Sequence, residues 1–305
     1  SYTNPRGDAV RSRVFEWTGG GTLLRSWTVP GQDLAKPHGV QVATSDALGR
    51  LVLLERSTSR ALLLDPRTGR FTRYSSFRDL PVCVPGERGG CSPNRLDKPA
   101  IPNLAAWGPH GELCVTDYGQ AVVWRVPPGG GPARVWLADA RLDGLELGTA
   151  GIQLAPGRRA LLVAQQTSAG LAEPNPTSGK LYRIPIRGGR PAGMWQVWES
   201  RPGDLPDGFG LACSGRIYLA NAGLSQQIVV IGPDGEEVER FPEVPTTGDN
   251  GSSVPFDTPS SATFRGHRIL VANQSYLGTG QHHALLHVWV GEPGLPVFVP
   301  AGAGS

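Results

Sequence analysis

Between residues 37 and 300 the chain repeats one pattern five times: four short apolar runs separated by Gly, Pro or Asp turns. The units are PHGVQVATSDALGRLVLLERSTSRALLLDPRTGRFTRYSS from Pro37, IPNLAAWGPHGELCVTDYGQAVVWRVPPGGGPARVWLA from Ile101, TAGIQLAPGRRALLVAQQ continued by KLYRIPIRGGRPAGMWQVWE from Thr149, PDGFGLACSGRIYLANAGLSQQIVVIGPDGEEVERFP from Pro206, and TPSSATFRGHRILVANQS continued by ALLHVWVGEPGLPVFVP from Thr258. The matching positions His38, Asn103, Ala150, Asp207 and Ser260 follow one another at steps of 65, 47, 57 and 53 residues. Four strands in about 50 residues is the spacing of a β-propeller blade. Composition agrees, since 42 Gly and 28 Pro among 305 residues, without a collagen-like period, leave little room for long helices. Ahead of the repeats, VFEW and TLLRSW read as the outer hairpin of one more blade. The expectation is an all-β chain forming one domain over 1–305, a six-bladed propeller of four-stranded antiparallel blades with an irregular first blade. A five-bladed ring with an N-terminal addition is the alternative.

Inner strands of a blade are covered on both faces, so LCVTD, ALLVA, IYLAN and ILVAN read as buried strands. Trp107, Trp124, Trp136, Trp195 and Trp198 fall in strand runs, where packing between blades is their expected role. The long step of 65 contains CVPGERGGC, whose Gly and Pro allow Cys83 and Cys91 to meet in a disulfide; Cys114 and Cys213 read as buried free thiols. Such a bridge, with a chain that begins at Ser1, points to a secreted or extracytoplasmic protein. A net charge of +3 without a Lys/Arg cluster argues against nucleic acid. No apolar run approaches the roughly 18 residues of a membrane helix. A small molecule is the expected partner, and a monomer the expected state.

In an up-and-down meander the start of strand one and the end of strand two lie at the same end of the blade. One rim therefore carries His38, Asn103, Ala150, Asp207 and Ser260 at the starts, with Glu55, Asp117, Gln165, Asn221 and Asn273 at the ends of the second strands. It also receives the long loops QQTSAGLAEPNPTSGK and QSYLGTGQHHA, which read as a lid carrying His282 and His283. The opposite rim holds the turns GPHGE, APGRR, ACSGR and FRGHR, with His110 and His267. Polar residues on the first rim make it the candidate binding face, with Asn103, Glu55, Asp117, Asn221, Asn273 and His282 as substrate-binding residues. Ordinary turn chemistry is the competing role for each one.

The segments IPNLAAWGPHGELCVTD and PDGFGLACSGRIYLANAG resemble two blades of the SMP-30/gluconolactonase/LRE-like propellers. The resemblance implies hydrolysis of lactones or related esters by metal-assisted attack of water. It implies a divalent metal held in the channel by a Glu, an Asn and an Asp, with another Asn on the substrate. Position by position, Asp207 takes the place of the metal Asp and Asn103 that of the substrate Asn. Ala150 stands where the metal Asn belongs, and His38 occupies the nearest PxG start, the Glu having no clear counterpart. Asp207, His38 and Asn103 are then the metal candidates, for Ca²⁺ among oxygen donors or for Zn²⁺ with an imidazole.

Two classes of function follow. In a hydrolase, Asp207 and His38 carry the catalysis, either around a metal that activates water or as a general base without one. In a binding module that has lost the metal ligands, the same rim holds a small ligand without turning it over. Metal-free catalysis of the strictosidine-synthase-like kind, with Glu55 or Asp207 as acid or base, is a third option. No GxSxG, Walker A or HExxH run offers a competing chemistry.

Overall fold

A computed structural model describes residues 9–84, 90–168, 177–245 and 248–304. Hairpin β1 (Arg13–Trp17) and β2 (Leu23–Thr28) comes first. Blade 1 is β3 (Val40–Ser45), β4 (Leu51–Glu55), β5 (Arg60–Asp65) and β6 (Arg70–Ser76). Blade 2 is β7 (Pro102–Trp107), β8 (Leu113–Asp117), β9 (Val122–Val126) and β10 (Arg134–Ala138). Blade 3 is β11 (Thr149–Leu154), β12 (Ala160–Gln165), β13 (Lys180–Arg187), the short β14 (Arg190–Pro191) and β15 (Trp195–Glu199). Blade 4 is β16 (Pro206–Leu211), β17 (Ile217–Asn221), β18 (Ile228–Ile231) and β19 (Glu237–Phe241). Blade 5 is β20 (Pro259–Arg265), β21 (Arg268–Asn273) and β22 (Ala284–Trp289). Every pairing within the blades is antiparallel. The protein is an all-β propeller, and among the described residues no helix is long and apolar enough to cross a membrane.

Among the described residues five blades are present where six were expected, and hairpin β1–β2 stands in place of the sixth. Its Val14 joins Val29, Val40, Leu53, Leu62 and Leu64 in a core against blade 1, while Gly19 in its turn lies beside the Arg265 guanidinium of blade 5. A hairpin covers less than a blade does. As a result β8, β12 and β17 are buried throughout, whereas β21 (ILVAN) alternates, with Ile269 and Val271 inside and Leu270 and Ala272 partly exposed.

The last repeat also departs from expectation, because blade 5 has three strands and its fourth apolar run, PVFVP, leaves the sheet. Residues 291–304 instead cross the rim of the short turns. Gly294 N–H donates to Gly266 O, Cys213 N–H to Pro293 O and Leu295 N–H to Leu211 O. The Arg158 guanidinium lies 4.2 Å from the Phe298 ring centroid, and Ala47 N–H and Arg50 Nη2 reach Ala303 O and Gly304 O. Phe298 packs against the cores of blades 1, 2 and 3, and Ala303 is buried in the first of them. Strap and turns frame a groove of about 700 Å³ lined by Leu154, Pro156, Leu211, Phe264 and Leu295.

Blades are joined by aromatics: the buried Trp107 donates from Nε1 to Ser45 O at 2.7 Å, and the half-buried Trp136 from Nε1 to Gly189 O at 2.9 Å. Trp124 is fully buried and Trp198 nearly so, but Trp195 is 48% exposed because β15 is an outer strand. Cys83 and Cys91 form the disulfide, flanked by the bridge between Val82 and Ser92. Cys114 is buried as expected; Cys213 is exposed, since it sits in the turn after β16 rather than inside a strand.

Candidate active site at the channel mouth

Four inner strands share an irregularity at their start. The register slips between Pro102 and Ala105, Thr149 and Ile152, Pro206 and Phe209, and Pro259 and Ala262. The slip falls on Asn103, Ala150, Asp207 and Ser260, and an extra residue in one strand bends it and re-aims its side chains. In blade 1 the slip lies deeper, between Val42 and Thr44, so His38 precedes the strand without sharing this geometry. Neighbouring backbones approach closely at the same level. A Cβ on Gly151 would stand 2.4 Å from Asp207 O, and one on Gly208 2.8 Å from Ser260 O, so both positions require glycine.

The Asp207 carboxyl is 7% exposed and accepts hydrogen bonds from Gly208 N–H and from the Gln166 side chain. Burial outweighs these bonds and pushes its pKa up to about 7. Gln166 Oε1 accepts the Tyr118 hydroxyl at 2.7 Å, so the amide nitrogen is the end left to donate to Asp207. Tyr118 is buried and held above the usual phenol range, first by desolvation and then by the charge of Asp207, with Tyr276 and Glu146 adding and Arg56 opposing. It is therefore a neutral donor at any working pH. Arg56 of blade 1, Tyr118 of blade 2, Gln166 of blade 3, Asp207 of blade 4 and Tyr276 of blade 5 thus share one electrostatic environment.

Asn103, 7% exposed, makes no side-chain hydrogen bond among the described residues. Ser260 Oγ donates to Ala272 O at 3.3 Å. The second-strand ends turn another way. Glu55 accepts Ser57 N–H at 2.7 Å and Thr58 N–H at 3.1 Å, closing its own turn. Asp117 accepts the N–H groups of Ile101, Gly119 and Gln120 and, at 2.7 Å, Trp124 Nε1; burial raises it to about 6 against those bonds. Asn273 bonds Asp257 N–H, Pro255 O and His282 O. Asn221 is fully buried, and neither of its side-chain polar atoms has a partner among the described residues. His282 stands on the loop after β21 with Nδ1 3.0 Å from Asp257 Oδ2. The His38 nitrogens lie 3.0 Å from Lys36 O and 2.9 Å from Val10 O, so the ring is fastened to the chain on both sides. Of the other long loop, residues 169–176 lie outside the described residues.

The residues missed from sequence, Arg56, Tyr118 and Gln166, each stand one position past a chosen strand end. Their N–H groups continue the ladder to Gly39 O, Ile101 O and Gly148 O. Strand side chains alternate, so when Glu55 and Asp117 face their turns, and Gln165 reaches back to Asp143 O, the next residue faces the other way. That period of two was the available signal.

The donor set does not fit the metal that the resemblance implies. Ala150 offers no ligand, both His38 nitrogens face carbonyl oxygens, and no group of three His, Cys, Asp or Glu among the described residues could hold an ion.

Fold and site together define a β-propeller with a polar cluster at one rim, to which residues of all five blades are electrostatically coupled. Among solved structures the chain is similar to a calcium-binding protein, regucalcin, from Agrobacterium tumefaciens, with TM-score 0.56 and 18% identity over 85% of this chain and 77% of that one. It is similar to a candidate gluconolactonase at TM-score 0.56 and 16% identity, covering 93% of this chain and 83% of that one. A gluconolactonase from Xanthomonas campestris follows at TM-score 0.49 and 18% identity, covering 75% and 67%. These are gluconolactonase- and regucalcin-like propellers, the group the sequence resembles. No family model and no curated protein matches by sequence.

Proposed function

We propose that the chain is a hydrolase of lactones or related esters, acting on a small molecule at the channel mouth with Asp207 as general base. The observation that carries this reading is a buried carboxyl raised to about 7 and fastened by Gln166, the state a base needs to take a proton near neutral pH. Water placed between Asp207 and the substrate carbonyl gives up a proton to the carboxylate as its oxygen attacks. Tyr118 and Gln166 hold the carboxylate in place, and Asn103, with its amide uncommitted, donates to the developing oxyanion. Arg56 adds positive charge to the same mouth. No step is assigned to a metal. The Cys83–Cys91 bridge supports an extracytoplasmic setting.

A panel of lactones and esters tests the reading, run with chelator and again with added Ca²⁺ or Zn²⁺. Turnover that rises through pH 7 and falls about 100-fold or more in Asp207→Asn is expected. Turnover unchanged in Asp207→Asn refutes it. The absence of a donor at Ala150 favours one second reading, a ligand-binding propeller. Saturable binding weakened by Asn103→Ala, without turnover in any arm, is its signature.

A further inference from the structure

Blade 5 carries a second group suited to proton transfer. Asp257, just before β20, has a side chain only 1% exposed, and its carboxylate is enclosed by the loop after β21. Leu277 N–H donates to Oδ1 at 3.1 Å and Gly278 N–H to Oδ2 at 2.9 Å, while the Ser275 hydroxyl donates to Thr279 O. His282 Nδ1 meets the same Oδ2 at 3.0 Å. A carboxylate only accepts, so Nδ1 carries the hydrogen and the tautomer is set. Nε2 is then the working atom: it has no partner among the described residues, and the side chain is 27% exposed. A buried carboxylate that orients an imidazole whose other nitrogen is free is the arrangement of a general acid–base.

Its place in the ring brings this pair to the site. Asp257 and Thr258 lead directly into β20, whose Ser260 carbonyl lies against Gly208, the residue after Asp207. From the same loop, Tyr276 N–H bonds Thr258 Oγ1 at 3.0 Å, and the Tyr276 charge acts on Tyr118, which is linked through Gln166 to Asp207. The loop after β21 therefore reaches the Asp207 cluster from the adjacent blade.

We infer that His282 is the proton donor to the leaving group, with Asp257 as its positioning residue; this rests on the hydrolase reading above. As water attacks the ester carbon, Asp207 takes one water proton. When the bond from carbonyl carbon to ester oxygen breaks, the departing alkoxide takes the Nε2 proton of the His282 imidazolium, which solvent has protonated beforehand, and the Nδ1 hydrogen stays in its bond to Asp257. The products are a carboxylic acid and an alcohol, or one hydroxy acid from a lactone, and solvent restores the proton to His282 and removes it from Asp207.

The test varies the leaving group. An alkoxide needs a proton donor, whereas p-nitrophenolate leaves without one. The expected result is that His282→Gln lowers kcat on lactones and alkyl esters by about 100-fold or more and on p-nitrophenyl esters by less than about 5-fold. Asp257→Asn should show the same contrast in weaker form, and Asp207→Asn should slow both substrate types. Equal losses on both types in His282→Gln, or no loss on either, overturn the inference and leave the hydrolase reading intact. Full activity in Asp207→Asn removes Asp207 from the reaction without touching the His282 contrast. A wild-type protein that turns over no member of the panel overturns both.

Discussion

Replacing Asp207 by Asn separates the energetics of the site from its chemistry. An ordinary aspartate ionises near 3.8, and this one is pushed up to about 7 by burial. Between those values the unfolded chain has lost the proton and the folded protein keeps it, so stability falls as pH rises through the window, and the whole cost is present above pH 7. The full interval corresponds to about 4 kcal/mol, of which about 3 kcal/mol accrues between pH 5 and pH 8. These are ceilings, because a side chain 7% exposed meets some channel water. Asn keeps the size and the acceptor for Gln166 but carries no charge. The variant should therefore gain on the wild type by up to about 3 kcal/mol on going from pH 5 to pH 8, or about 5 °C in Tm for a chain of this length. Denaturant melts of both proteins at the two pH values, with chelator present so that no cation compensates the carboxylate, measure it. A variant-to-wild-type difference that is the same at pH 5 and pH 8, or that moves toward the wild type, refutes the account of Asp207 as a desolvated acid.

Truncation after Val290 removes the strap that touches the short turns of all five blades, and should lower Tm by more than about 10 °C. The milder Phe298→Ala should cost about 2–3 kcal/mol in a denaturant melt, and a loss below about 0.5 kcal/mol would show that the strap packs only superficially. Gly151→Ala forces a methyl group to within 2.4 Å of Asp207 O. It should destabilise by about 1–3 kcal/mol and, by moving Asp207, lower kcat/KM; an unperturbed variant would contradict the close approach of β11 and β16. The Cys83–Cys91 bridge closes a loop with a sequence separation of 8, worth about 2–3 kcal/mol. Reductant should weaken the wild type by that amount and leave the double Ser variant unchanged, with non-reducing peptide mapping as the check on the pairing.

Much of the architecture was readable in advance. The repeat step reports the size of a blade, and the apolar runs report its strands, because an inner strand must be covered on both faces wherever it sits. The rims were readable too, since chain reversal in a meander sorts starts and ends by simple parity. The two irregular places were hidden for a common reason. PVFVP and VFEW have the apolar character of strands, but whether such a run pairs, straps a rim or stands in for a blade depends on which neighbour is there to cover it.

Asp207 and Asn103 were read from their strand starts alone; of the second-strand ends read with them, Glu55 and Asp117 accept N–H groups of the turns that follow, and Asn273 ties the segment before β20 to the loop after β21. Local sequence determined that each blade ends its second strand with a polar residue, and for Glu55 and Asp117 that residue holds backbone N–H groups two or three positions further on. Which of two successive side chains looks across the opening was decided by how the blades pack. Only then do Tyr118, Gln166 and Asp207, distant along the chain, become one hydrogen-bonded line, and only the burial that packing imposes turns an ordinary aspartate into one that titrates near neutrality.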